Sequence, residues 1–333
     1  MRIAPAGVLL ALTALTAPAV ANGPYDIDRL AYFEAGNSAE VEVDGNHLFA
    51  GIGRHLLILD VSDPTKPTKI ASTVAAGPAN IPRDIQVSGN HVFVTLGDYG
   101  LRIYDVSDPG NPTLAGTLDG VELWDFDIAG STLIASSSSK TLQSVDISDV
   151  SNPSPISTAT LSTFTSGAVI QGDYAYVPGG ISGVMMIVDV SDPANMVELS
   201  SITTGGYAFS LDVADTLAYV PTAGTSMAII NVADPSAPVE VGRYTSPAAW
   251  FQSYDVVVQD GIAVLVSGDY SIDVVDVSDP TNPFRVAEID ESLGGYEVVR
   301  NGNHVYVADA ATSFRVLDVS TPEFTSVVGR HQG

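Results

Sequence analysis

The chain has 333 residues, with 39 acidic against 13 basic side chains and no cysteine, giving a formal charge of -26 at pH 7. Disulfide scaffolds and cysteine-based zinc modules are excluded, and so sparse a set of cations cannot make the basic footprint that phosphate backbones require, so no nucleic-acid partner is expected. Apolar residues make up 45%, enough to bury a core despite the charge, so the chain reads as globular.

Residues 1–21 read as a secretory signal: Arg2 opens it, an apolar run follows from about Ala6 to Ala17, and Ala19, Val20 and Ala21 form an A-x-A cleavage site. The apolar run is shorter than the roughly 20 residues a bilayer span needs, so no membrane span is expected. The expectation is a mature chain of residues 22–333 forming one domain. It would be a monomer that is secreted, whether periplasmic, extracellular or at the cell surface of a bacterium.

Beyond this segment one pattern recurs seven times: an alternating apolar stretch, an Asp, then a turn rich in Ser, Asp and Pro. The anchors are Asp60, Asp105, Asp146, Asp189, Asn231, Asp276 and Asp318, spaced 41 to 45 residues apart. Upstream of each, by 20 to 22 residues, a strand-like stretch begins at Glu40, Asp84, Asp125, Gly167, Ser210, Asp255 and Glu297. Within the unit the period is two. Asp84 to Val87, the turn Gly89-Asn90, and Val92 to Val94 read as strand, tight turn, strand. A Gly-rich loop leads to the Leu101, Ile103 strand, which ends at Asp105 in a turn set by Asp108 and Pro109, and a fourth strand follows at Thr113 to Thr117. Four strands per unit, seven times and without helical periodicity, predict an all-β fold, a seven-bladed β-propeller of four-stranded antiparallel blades. Residues 27 to 33 look like one more fourth strand, and residues 324 to 330 like the seventh unit's own. The N-terminal segment is therefore expected to close the ring, either clasping the last blade or adding an outer edge to it.

The cadence Leu101, Ile103, Asp105, Val106, Ser107, Asp108, Pro109, Pro112 resembles the LVIVD-repeat family of secreted and surface proteins, over roughly residues 40 to 325. The resemblance implies a seven-bladed propeller outside the cytoplasm and no particular activity. Departures are local: Asn231 at one anchor, a turn altered at Val150 to Asn152, and Met196 and Thr325 in place of the second proline.

Repetition discounts several candidate sites. The anchor acids suit turn capping better than calcium binding, because they lack the D-x-D-x-D-G spacing. His47, His91 and His304 share one register on separate units, so they are not expected to meet at a metal. His55 is the best placed general base if one exists, and no hydrolase or phosphate-loop motif occurs.

The starts of the first strands carry more information, because propeller loops converge there on the channel mouth. Five of the seven landmarks are acidic: Glu40, Asp84, Asp125, Asp255 and Glu297. Just before them stand Arg83, Trp124, Phe209, Tyr254 and Tyr296, and a lengthened connection adds Trp250 and Phe251. The loops between second and third strands add Asp98-Tyr99 and Asp269-Tyr270. Carboxylates beside aromatic faces suit calcium, a sugar, or a cationic organic ligand, unless the acids instead hydrogen-bond the backbone of the next blade.

The reading is a non-enzymatic binding module with a protein or carbohydrate ligand at the mouth. The ligand-binding candidates are Arg83, Asp84, Trp124, Asp125, Trp250, Phe251, Tyr254, Asp255, Tyr296 and Glu297, and Ca2+ is the cofactor candidate at the five acids. The alternative is a propeller polysaccharide lyase or hydrolase, with Arg83 and Arg54 near the rim.

Overall fold

The structure is a computed structural model that describes residues 39–74, 81–222, 226–247, 253–267, 271–290, 295–309 and 313–332. Its strands fall into seven four-stranded antiparallel sheets, each built from consecutive strands. Numbered in chain order, the first strands of the blades are β1 (Ala39–Asp44), β5 (Asp84–Ser88), β9 (Phe126–Ala129), β13 (Val169–Gln171), β17 (Asp212–Ala214), β21 (Ser253–Gln259) and β25 (Gly295–Asn301). Each packs against the first strand of the next blade, and β25 packs against β1, so the ring is closed.

Burial follows the sequence pattern. Second strands such as β6 (His91–Thr95) and third strands such as β15 (Val184–Asp189) are apolar on both faces, because a neighbouring blade covers each side. The fourth strand β16 (Val197–Thr203) alternates half-buried with exposed residues, as an outer edge should. The core is a set of wedges between blades, such as the one in which Leu48, Leu57 and Val41 of blade 1 meet Phe314, Val316 and Tyr306 of blade 7.

The turns carry the repeat's acids as expected. Asp105 Oδ1 accepts the Ser107 amide at 2.8 Å and Asp108 Oδ1 accepts that of Gly110 at 3.1 Å. Asn231 makes the same bond to the Ala233 amide at 2.9 Å, which explains why the substitution is tolerated. Hairpin glycines Gly45, Gly89 and Gly302 supply the positive φ that the first turn of a blade needs.

Each fourth strand bulges where it pairs with the third, in all seven blades. Beside the bulge the strand meets the turn of the next blade. A Cβ at Gly116, Gly242 or Gly329 would stand 1.9, 1.8 or 2.1 Å from the carbonyl oxygen of Val150, Pro280 or Pro64. Where serine stands instead, its hydroxyl donates to that carbonyl: Ser157 to Pro193 at 2.7 Å and Ser200 to Pro235 at 2.6 Å. The Gly329 to Pro64 contact makes the same joint between blades 7 and 1.

The seventh blade is completed by its own fourth strand, β28 (Ser326–Gln332). It pairs with β27 (Ser313–Asp318), as expected of residues 324 to 330. Both alternatives for the N-terminal segment, a clasp on the last blade or an added outer edge from residues 27 to 33, lie outside the described residues. So does the segment 1–21 read as a signal. Among the described residues no helix is long and apolar enough to cross a membrane.

Candidate functional site

The seven first strands surround a cavity of about 390 Å³ on the ring axis, lined by residues from every blade. Asp84, Asp125, Asp255 and Glu297 line it, as the landmark positions predicted. Glu40 is coupled electrostatically to Asp84, Asp255 and Glu297. A second tier was missed by the sequence reading: Glu42, Gln86, Asp127 and Asp212 also face the cavity. They stand two positions after Glu40, Asp84, Asp125 and Ser210, so the period of two that identified the strands contained the signal.

Most of these acids hold the ring together. Asp84 Oδ2 accepts the Phe126 amide of the next blade at 2.8 Å, Asp125 Oδ1 accepts Ala168 at 2.9 Å, and Asp255 Oδ2 accepts Val298 at 2.8 Å. Glu297 accepts the Val41 amide, which carries the pattern across the closure. In the second tier Asp127 Oδ2 accepts Ile170 at 2.7 Å and Asp212 Oδ2 accepts Val258 at 2.6 Å. The rule is simple: a first-tier acid bonds the amide one residue past the next blade's landmark, and a second-tier acid the amide three past it. Blades without an acid use other groups. Ser166 donates to the Ala208 carbonyl at 3.1 Å, and Ser210 donates to Asp255.

Burial dominates the charge state. It pushes Glu40 and Glu42 up to about 8, with carboxylate neighbours adding to the shift. Asp84 rises to about 7 and Asp255 to about 6, even though each accepts backbone amides that favour the ionised form. Asp125, Glu297, Asp127 and Asp212 are raised for the same first reason. Among the described residues the one cation lining the cavity is Arg300, which donates to the carbonyls of Gly302 at 2.8 Å and Gln259 at 3.0 Å, so its charge is turned to backbone.

Among the described residues no three His, Asp or Glu side chains form a group that could hold a metal ion. Of the five calcium candidates, Asp84, Asp125, Asp255 and Glu297 each accept an amide of the next blade. His47, His91 and His304 each open the second strand of a different blade, opposite Asp60, Asp105 and Asp318. His55 opens β3 (His55–Asp60), opposite Ile52, and Arg54 beside it is exposed.

On the rim, Arg83 and Trp124 come together. The guanidinium stands 4.3 Å from the indole centroid, and the indole N–H donates to Glu122 at 3.1 Å. Gly97 packs beside both side chains and adopts a positive φ of 60°. Tyr254 and Tyr296 occupy bulge positions, each the extra residue where register slips before Asp255 and Glu297. The bulge lets an aromatic precede the acid without displacing it from the channel. Trp250, Phe251, Asp269 and Tyr270 lie outside the described residues. Tyr99, named from the sequence, is 50% exposed, and the structure adds Phe164, Ile181 and Tyr207, which are 46, 64 and 50% exposed. All four sit in loops after second strands or before first strands, which return to the face where the first strands begin. Tyr207 meets Phe209 edge-on at 6.2 Å, and the Lys140 ammonium lies 5.5 Å from the Phe164 ring.

The LVIVD repeat model matches residues 35–73, 81–120, 165–204, 205–246, 252–290 and 297–331. The interval left unmatched, 121–164, holds the blade whose turn carries Val150 in place of proline. It nonetheless forms a complete four-stranded sheet. No curated protein matches the chain. Among solved structures, the computationally designed Ika8 protein superposes with a TM-score of 0.65 at 12% identity, covering 90% of this chain and 89% of its own. Sqt1 of Saccharomyces cerevisiae superposes with a TM-score of 0.66 at 9% identity, covering 90% and 87%. Both likenesses concern the fold alone.

Proposed function

The chain belongs to the LVIVD-repeat family, and from that premise we propose that it is an exported, non-enzymatic binding module whose protein or carbohydrate ligand docks at the channel mouth. The observation that carries this reading is the set of exposed aromatic and apolar side chains, Tyr99, Phe164, Ile181 and Tyr207, on the face where the first strands begin. Single exposed apolar residues need no explanation, whereas several on one face of a highly charged protein mark a contact surface. Tyr and Trp suit such contacts because they offer large rigid faces at low entropic cost. The cation-π pair of Arg83 and Trp124 fixes a further aromatic ring on the rim.

The test compares the chain from Asn22 onward with its Tyr99→Ala, Trp124→Ala double variant on glycan and peptide arrays. Binding by the parent chain that weakens at least tenfold in the variant is expected. Equal binding by both would overturn the reading. N-terminal sequencing of the exported chain should begin at Asn22.

A further inference from the structure

We infer that the rim of blades 2 to 4 binds a uronate-bearing oligosaccharide, its carboxylates held by Arg83 and Lys140 and its sugar rings laid on the neighbouring aromatic faces. The inference deepens the reading of the channel mouth as the docking face, naming its ligand class, and rests on it.

The first observation is how this chain uses its scarce cations. Arg102, Arg243 and Arg285 each meet a carboxylate, at 2.8, 2.7 and 2.7 Å. Among the described residues no carboxylate lies within 4.0 Å of Arg83 or Lys140. Each lies instead against an aromatic ring, Arg83 over Trp124 at 4.3 Å and Lys140 over Phe164 at 5.5 Å. A guanidinium over a ring keeps the N–H donors at its edge for a carboxylate, whose two oxygens match that fork.

The second observation is that one loop joins the two pairs. Glu122 Oε1 accepts the Trp124 indole N–H at 3.1 Å and the Ser138 amide at 2.8 Å. On the other side of the loop 137–140, Thr165 Oγ1 donates to the Ser137 carbonyl at 3.0 Å, and the Thr165 amide donates to that of Ser139 at 3.1 Å. Phe164 and Trp124 are thus tied to the loop that carries Lys140. Such a fixed arc presents its groups with little ordering left to do when a ligand arrives.

Third, the chemistry between the cations suits a sugar. Ser138 and Ser139 stand exposed there and supply hydroxyls, while Phe164 and Tyr99 leave about half of their surface open. A pyranose offers an apolar C–H face to such rings and hydroxyls to such serines, and a uronate adds the carboxylate; an acidic peptide offers the carboxylate without the flat face. The charge of -26 does not oppose this locally. The turn acids lie at the opposite end of the strands, Asp119 is paired to Arg102, Glu122 is turned to internal donors, and Asp98, exposed in the adjoining loop, pairs with neither cation. Charges beyond about 10 Å are largely screened at roughly 0.1 M salt, so the nearest cations decide.

The experiment is calorimetric titration of the full chain from Asn22 onward with tetragalacturonate, with its methyl-esterified form and tetraglutamate as separate arms. Saturable binding of tetragalacturonate is expected, weakened at least tenfold by Arg83→Gln, by Lys140→Gln and by esterification. Arg83→Lys keeps the charge and loses the fork, so its loss should be smaller than that of Arg83→Gln. All three substitutions lie on the surface, and unfolding temperatures measured on the same samples check the fold. Absence of saturable binding, an ester that binds within tenfold of the acid, or two Gln variants that each lose less than tenfold would overturn the inference. So would tetraglutamate binding as tightly, which would make the partner an acidic peptide. If array binding depends on Tyr99 and Trp124 while tetragalacturonate does not bind, the uronate site falls and the docking face stands; if neither binding is seen, both fall.

Discussion

Asp84 and Asp105 lie in one blade, at the start of its first strand and the end of its third, and their carboxyls are pushed in opposite directions. Asp105 is half-buried at the end of its strand and held below the usual range by its hydrogen bonds from Ser107. Asp84 accepts two backbone amides, from Ile85 and Phe126, and still rises to about 7. Hydrogen bonding alone therefore does not decide the charge state; the loss of water inside the ring outweighs it. The contrast runs through the molecule: Asp60, Asp146, Asp189, Asp279 and Asp318 follow Asp105, while Asp125, Asp127, Asp212 and Asp255 follow Asp84.

The largest expected effect is pH dependence. The channel carboxyls have folded values raised above the unfolded ones, so the native state binds more protons, and the stability they add below their unfolded values is lost as pH rises through 6 to 8. The turn acids work the other way: their contribution is present above 3.8 and lost as pH falls through their lowered folded values. Thermal unfolding should therefore occur at a lower temperature near pH 8.5 than near pH 5, and an unfolding temperature that does not fall over that interval would break the contrast.

Next comes the stitch. Asp84→Ala leaves the amides of Ile85 and Phe126 without their acceptor, which should cost about 2–4 kcal/mol, measured by denaturant unfolding. Asp84→Asn keeps one acceptor oxygen and should cost less. An equal cost for both would mean that packing and not the interblade bond is lost.

Glu42→Gln has the opposite sign. It removes a carboxyl with no partner, and near pH 8.5 it should stabilise the chain by about 1–2 kcal/mol, with the gain shrinking toward pH 5 where the carboxyl is already neutral. A loss of stability at the higher pH would show that Glu42 makes a favourable bond in solution.

The smallest effect belongs to the turns. Asp105→Ala should lower the unfolding temperature slightly, and Asp105→Asn hardly at all, because Asn231 already makes that bond in another blade. A fall as large as that of Asp84→Ala would erase the distinction between the two acid populations.

The sequence by itself determined the blades. Anchor acids, hairpin glycines and alternating strands are local chemistry repeated seven times, and repetition makes a short-range signal legible over the whole chain. It also placed the first-tier acids on the channel, because the start of each first strand has a fixed distance to its anchor. The second tier, with Glu42 and Asp127, obeyed the same alternation, yet alternation says only which residues share a face; which face looks into the channel depends on ring closure. Whether a given carboxylate points at a ligand or at the next blade's amide was likewise decided by tertiary structure, since donor and acceptor lie some 40 residues apart, as with Asp84 and Phe126. The pairing of Arg83 with Trp124 and the exposure of Tyr99 and Tyr207 belong to the same class, since packing between neighbouring blades sets them. Repeats fix what each unit is; only the closed ring brings units together, and there burial reverses the behaviour of an otherwise ordinary aspartate.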